Sequence, residues 1–393
     1  MSTKHLKTLQ TIVNLPTAPF AEASVAAFIR GFVARHRELR VRGDRFGNLL
    51  VKYLPRRKSG KGRVGRPILF AAHMDHPGFV AQRMVGAGRV YADWRGWVQG
   101  RYFKGERVIF RVGSRWVEGT IEKCMPHEPG KMPKRAVASG RPFGATAPPK
   151  GVIARVGRDV PEGSVGMWGL PDAKIRGHRL ACRASDDLSG LAGIVCALEE
   201  MCRQGTRCPC YALFTRAEEV GFGGALAAAD GGTLPKGVIV VAVENSKAIA
   251  GVSLGDGPVL RVGDKASVFT PAATAYCQVA AEKLAEADAT FKFQRKLMDG
   301  GTCESTAYCH YGHDATGICL PLLNYHNMDT EREKIGPEII DTRDFLNLVK
   351  WFVSLAESPM RIRFEEGHPG LGKRLDALLK QHRRRLMRTA ATC

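Results

Sequence analysis

Long apolar runs are missing from this 393-residue chain, and no stretch approaches the roughly 18 residues a membrane-spanning helix needs. The first residues, MSTKHLKTLQTIVNLP, also lack the continuous apolar core and small-residue cleavage site of an export signal. No membrane is therefore expected as a partner, and the expected setting is cytoplasmic. None of the eleven cysteines forms a CxxC pair, so a structural zinc knuckle is not expected. Without an export signal disulfides are not expected either, and most thiols should be small buried hydrophobes. Acids are scarce: 38 Asp and Glu stand against 59 Lys and Arg, a net charge of +21. No helix-turn-helix, zinc finger or aromatic RNA-binding signature accompanies that charge. Nucleic acid is accordingly not the expected partner, although a basic C-terminal tail leaves such contact open.

What is present is the composition of a globular protein, 44% hydrophobic and 25% charged, long enough for two or three domains. The positive charge is concentrated in two places. Arg56, Arg57, Lys58, Lys61, Arg63 and Arg66 share one loop without an acid, and Arg383, Arg384, Arg385 and Arg388 lie near the C-terminus.

Helical spacing of apolar residues runs through residues 4–40, broken at Pro16 and Pro19. Residues 44–54 read as a strand carrying a Gly47-Asn48 turn. Between about 79 and 167 helical periodicity disappears, and short β-like runs such as RVIFRVG and GVIARVG sit between Gly and Pro. This reads as an all-β insertion, with a Pro- and Gly-rich loop at 126–150. An α/β alternation follows, with helices expected at 189–201, 221–229, 272–287 and 341–356 and strands at 211–214, 238–243 and 318–323. A further basic helix is expected around Leu371, Leu375, Leu378 and Leu379. The chain thus divides into a discontinuous catalytic domain, 1–78 with 168–360, an inserted β domain, 79–167, and a basic tail, 361–393.

The stretch ILFAAHMDHPG, from Ile68 to Gly78, organises the rest. A short buried strand delivers His73 and Asp75, which project to the same face of an extended chain. Four more acidic or imidazole groups end apolar runs downstream: Asp186/Asp187, Glu218/Glu219, Glu244 and His326. Strand ends of open α/β sheets converge on one crevice, so these residues can meet there. Two divalent ions about 3.5–4 Å apart need one bridging carboxylate, with a terminal carboxylate and an imidazole on each side. Asp186 suits the bridge, His73 and Glu244 one ion, and Glu219 and His326 the other. Glu218 is then free to accept a proton from water, and Asp75 to orient His73. Singly, each has a plainer explanation: Asp186-Asp187 as a helix N-cap, Glu218-Glu219 as surface acids, His326 as structural.

HMDHPG, SDDLSG, AEEVGFGGA, VAVEN, GGTCESTA and LNYHN, in this order, resemble the glutamyl/tetrahedral (TET) aminopeptidase family of co-catalytic metallopeptidases. The resemblance spans about residues 5–355. It implies a phosphorylase/hydrolase-like mixed-sheet α/β sandwich with an inserted β-barrel-like domain between His73 and Asp186. It implies two divalent metal ions per chain, expected to be Zn with Co or Mn as substitutes, held by His73, Asp186, Glu219, Glu244 and His326. Asp75 matches the supporting aspartate and Glu218 the general base. Peptide substrates, a homo-oligomer such as a dodecamer, and a cis Asp186–Asp187 peptide follow from the same resemblance. Three positions depart from the family pattern: Glu244 and Cys303 stand where aspartate is usual, and Asn324 replaces an arginine before a shortened Tyr325-His326 motif. The sequence alone leaves open a di-metal deacylase of small N-acyl compounds, or a basic nucleic-acid-binding scaffold with a vestigial site.

Overall fold

The computed structural model describes residues 2–55, 66–127, 147–357 and 371–389. Most of the basic loop and of the 126–150 segment therefore lie outside the described residues, as does the first part of the tail.

An eight-stranded mixed sheet forms the centre. Its order is Leu39–Gly43, Leu49–Tyr53, Cys210–Thr215, Ile68–His73, Ile239–Lys247, Asp314–Leu322, Val259–Asp264 and Gln294–Met298. The four middle strands run parallel, which brings all their carboxyl ends to one edge. They are buried on both faces, which is why they read as unbroken apolar runs. Along Ile68–His73 the alternation divides the core: Phe70 and Ala72 face one helical layer, Leu69 and Ala71 the other. The first layer holds Leu188–Gln204 packed on Thr342–Glu357, with Pro271–Ala287 beside them. The second holds the short helices Gly223–Asp230 and Glu304–His310. Helices on both faces of a mixed sheet give the expected α/β sandwich.

The all-β stretch is a closed barrel of six strands, running from Gly78–Met84 to Val165–Trp168. Its centre is aromatic. Phe79, Trp94, Phe103 and Trp168 touch with ring centroids 4.7–6.2 Å apart. Gly78, where the barrel leaves the sandwich, has no room for a side chain, since a Cβ there would meet the Gly166 carbonyl at 2.9 Å.

One local reading changes. The helix expected up to residue 40 ends at Ala34, and residues 39–43 form a strand instead. The LRVRG segment alternates apolar and basic residues, a period of two that pairs it with Leu49–Tyr53 across a turn at 44–48. The tail helix is present as Leu371–Thr389, with Leu375, Leu378, Leu379 and Met387 all exposed.

Trp168 is 1% exposed at the centre of the barrel's aromatic cluster. Trp168→Ala should cost about 3–5 kcal/mol in denaturant unfolding, the usual range for emptying a large aromatic site. A loss below about 1 kcal/mol would mean that the barrel core does not pack as described.

Candidate active site

Each parallel strand hands over a short turn at the common edge. Ile68–His73 places His73 at its last position, 1% exposed. The imidazole Nδ1 donates to the backbone carbonyl of Asp75 at 3.0 Å, with the Asp75 carboxylate farther off at 3.6 Å. This fixes the ring so that Nε2 points into the cluster. Both oxygens of the Asp75 carboxylate instead accept backbone amides, from Glu218 at 3.0 Å and Glu219 at 3.1 Å. Asp75 therefore ties the turn after Cys210–Thr215 to the turn after Ile68–His73.

The cluster centres on Asp186. Its Oδ1 lies 3.4 Å from His73 Nε2 and its Oδ2 lies 3.5 Å from His326 Nε2. Glu244 Oε1 is 3.5 Å and Glu218 Oε2 4.0 Å from His73 Nε2. Glu219 Oε2 is 3.1 Å from His326 Nε2. Three groups have ligand atoms all within 4.8 Å of one another: His73, Asp186 and Glu244; Asp186, Glu219 and His326; and His73, Glu218 and Glu219.

The plainer explanations meet specific obstacles. Asp187 does occupy the N-cap position of Leu188–Gln204, but its side chain makes no cap hydrogen bond. The Asp186–Asp187 peptide is cis, as the resemblance implies. Glu218 and Glu219 are 4% and 2% exposed, so neither is a surface acid.

Residues without any sequence spacing to reveal them hold this arrangement. Glu338 accepts the amides of Ser185 at 2.6 Å, Asp186 at 3.1 Å and His326 at 2.8 Å. His76 Nδ1 donates to the Asp186 carbonyl at 2.6 Å, and its Nε2 lies 3.1 Å from Asn327 Oδ1. His326 Nδ1 donates to the carbonyl of Trp97, a residue of the barrel segment, at 2.6 Å. Asn324, His326 and Asn327 all have φ between 55° and 64°, the left-handed region that costs non-glycine residues about 1–3 kcal/mol each. His76 sits inside the HMDHPG motif, which was a usable signal. Glu338, between Pro337 and an apolar run, offered none.

Electrostatics follow from burial. Burial pushes the His73 imidazole down, but Asp186, Asp75 and Glu244 outweigh it and raise it well above its ordinary value. His326 is raised likewise, against burial, by Glu219 and Asp186. Burial and then the neighbouring Asp186 raise the Glu244 carboxyl. Asp186 itself is held low by His326 and His73 in spite of burial. Glu304, under the cluster and bonded by Thr215 Oγ1 at 2.6 Å, is pushed up to about 7, chiefly by burial. Crowded carboxylates of this kind repel one another unless cations compensate them. His73 Nε2, Asp186 Oδ1 and His326 Nε2 are buried without a hydrogen-bond partner among the described residues. That donor set fits divalent metal ions.

Beside the cluster a small cavity of about 90 Å³ is lined by Glu218, Glu244, Lys247, Arg261, Met298 and Tyr325. Arg261 is 3% exposed there; its Nη1 donates to Ser246 Oγ at 3.1 Å, and its Nε has no partner among the described residues.

Solved structures share this fold at low identity. An aminopeptidase from the archaeon Desulfurococcus kamchatkensis matches with 20% identity and a TM-score of 0.69, covering 91% of this chain and 95% of that one. The TET1 peptidase of Pyrococcus horikoshii, which can assemble into a tetrahedron or a large octahedral shell, matches with 20% identity and a TM-score of 0.68, covering 90% and 99%. A TET aminopeptidase from a marine sediment archaeon of the Thaumarchaeota matches with 19% identity and a TM-score of 0.69, covering 93% and 99%. The sequence itself matches the family model of the M42 glutamyl aminopeptidases over residues 56–334. With most of its length inside that match, the chain belongs to the M42 glutamyl aminopeptidase family and is an aminopeptidase.

Proposed function

We propose that this aminopeptidase is metal-dependent, with one divalent ion held by His73, Asp186 and Glu244, a second by Asp186, Glu219 and His326, and Glu218 as the proton carrier. The observation behind this reading is the Asp186 carboxylate, whose two oxygens face the Nε2 atoms of two different imidazoles. Nitrogen and oxygen donors of this kind suit Zn, Co or Mn. Two such ions, when bound, supply Lewis acidity that polarises a scissile carbonyl and makes water more acidic. The Glu218 carboxylate takes a proton from the attacking water as the carbon–oxygen bond forms. It delivers that proton to the leaving nitrogen as the carbon–nitrogen bond breaks. Asp75 keeps Glu218 at this station by holding its amide, and Glu338 does the same for Asp186 and His326.

The cavity beside Glu218 and Glu244 is the natural seat for the substrate's first side chain. A guanidinium on the wall of that cavity favours an acidic side chain there, because charge-assisted hydrogen bonds to a carboxylate are strong. The neighbouring Cys303 does not neutralise it, since burial pushes that thiol up to about 12. The substrates proposed are peptides with N-terminal Glu or Asp. We assign the barrel region, residues 79–167, to assembly and access, with catalysis carried by 1–78 and 168–360; none of the three metal-competent groups uses a barrel residue. Assembly as a homo-oligomer belongs to the same reading, following the dodecamer described for a TET1 relative.

Two predictions test it. Glu218→Gln should retain both ions by metal analysis and lose roughly 10²–10⁴-fold in kcat, the scale of general acid–base catalysis. Glu219→Gln, which removes an anionic ligand, should lose metal; the opposite pattern would reverse the two roles. Arg261→Met should lower kcat/KM for glutamyl and aspartyl anilides by roughly 10²-fold or more while changing alanyl and leucyl anilides only several-fold. Equal losses on all four would remove Arg261 from specificity.

A further inference from the structure

The turn that carries Glu218 and Glu219 lies between the end of one strand at Thr215 and a short 3-10 turn that begins at Glu218. Four consecutive backbone amides there, Arg216 to Glu219, each donate to a side chain from another part of the chain. Asn48 Oδ1 accepts Arg216 N at 3.2 Å, Glu22 Oε1 accepts Ala217 N at 3.1 Å, and the two Asp75 oxygens take Glu218 N and Glu219 N. Asn48, Glu22 and Asp75 are each at most 2% exposed. Buried amides must find acceptors, so these three side chains set the path of the turn.

Asp75 belongs to the HMDHPG motif, whereas Glu22 lies outside every motif. Glu22 stands at the N-cap position of the helix Ala23–Ala34, yet its side chain makes no cap hydrogen bond. It crosses to the glutamate turn instead. Oε1 accepts Phe20 N at 2.8 Å as well as Ala217 N, and Oε2 accepts Arg216 Nε at 2.9 Å. Arg216 is anchored further by its Nη1, which donates to the Phe46 carbonyl at 3.0 Å. Ala217 has a φ of 54°, a left-handed conformation that persists in a non-glycine residue only where its surroundings enforce it. Glu22 supplies that enforcement at the residue immediately before Glu218. The segment bearing Glu22 is itself fixed to the site. Thr17 Oγ1 donates to the Met74 carbonyl, between His73 and Asp75, at 2.7 Å, and Arg95 of the barrel donates to the Pro19 carbonyl at 2.8 Å.

We propose that Glu22 is a positioning residue for the reaction: by holding the Ala217 amide and the Arg216 guanidinium it aims the Glu218 carboxylate at the attacking water. The proposal rests on the reading of Glu218 as the proton carrier. None of the hydrogen bonds just described for Glu22 reaches a metal-competent side chain, so its loss falls on proton transfer and not on metal affinity or substrate binding.

The test compares Glu22→Gln, Glu22→Asp, Glu218→Gln and the double variant Glu22→Gln/Glu218→Gln. Each is measured for metal content, thermal unfolding and steady-state kinetics on the best-cleaved amino-acid anilide. Glu22→Gln keeps the shape but offers one acceptor oxygen to three donors. It should keep both ions, hold KM within several-fold and lower kcat roughly 10–100-fold, the scale of a small misplacement. Glu22→Asp, which keeps the charge and both acceptor oxygens, should recover part of that loss. In the Glu218→Gln background Glu22→Gln should cost no further activity, because the two residues act as one unit. Parental kcat in Glu22→Gln, loss of metal, or the same loss of kcat in both backgrounds would leave Glu22 a purely structural residue and overturn the proposal. If Glu22→Gln does not fold, Glu22→Asp carries the same comparison in both backgrounds. Full activity in Glu218→Gln would sink the proton-carrier reading and this proposal with it. An inactive Glu218→Gln beside a fully active Glu22→Gln would sink this proposal alone.

Discussion

A carboxylate buried between two imidazoles is the constraint around which this molecule is built. Asp186 is 1% exposed, and an ionised group at that depth must be compensated or it unfolds the site. The fold distinguishes two kinds of buried acid. Asp75, Glu338, Asp264 and Asp344 have their oxygens occupied by backbone amides, and each thereby fixes the path of a turn. Among the described residues no amide donates to the Asp186 carboxylate, and one of its oxygens has no hydrogen-bond partner. Acids of the first kind position the chain; the second kind is left with its charge facing outward into the cluster.

Topology makes that division possible. Parallel strands deliver His73, the Glu218–Glu219 turn, Glu244 and the His326 turn to one edge, from sequence positions far apart. The barrel interrupts the chain between His73 and the Asp186 turn, yet it is not a bystander. Its segment returns the Trp97 carbonyl to His326 Nδ1, which sets which ring nitrogen faces Asp186. Arg183, on the barrel's side of the same turn, offers its carbonyl to Asn327 Nδ2 at 2.9 Å, and Asn327 in turn meets His76. The barrel and the site are therefore linked through backbone groups on both flanks of Asp186.

Much of this was legible in the sequence, for a physical reason. A doubly buried strand must be apolar along its whole length, so an acid or imidazole at its end stands out, and HMDHPG, VAVEN and LNYHN are such ends. The β-rich interval was legible because helical periodicity stops there. The supporting groups were not. Glu338 acts on the amides of Ser185, Asp186 and His326, and an amide carries no side-chain signature. Asp75 lies beside His73 in the sequence and in space, 3.6 Å from its imidazole, but the amides of the glutamate turn that its carboxylate also accepts carry no sequence signal. The strand Leu39–Gly43 was hidden by helical residues just before it, where only five residues carried the opposite period.

Charge follows the same logic. The acids that build the site and its supports are inside, including Asp75, Asp186, Asp187, Glu218, Glu219, Glu244, Glu304 and Glu338. Lys and Arg, apart from Arg183 and Arg261, are left at least partly exposed among the described residues. The surface is thus more positive than the net +21 alone implies, because the acids within that total are disproportionately buried. A basic surface raises the local concentration of anionic solutes. The exceptions then carry the most information. A guanidinium is costly to bury without acceptors, and the two buried among the described residues are both held: Arg183 by the Leu170 carbonyl and the Asp172 carboxylate, Arg261 by Ser246 Oγ.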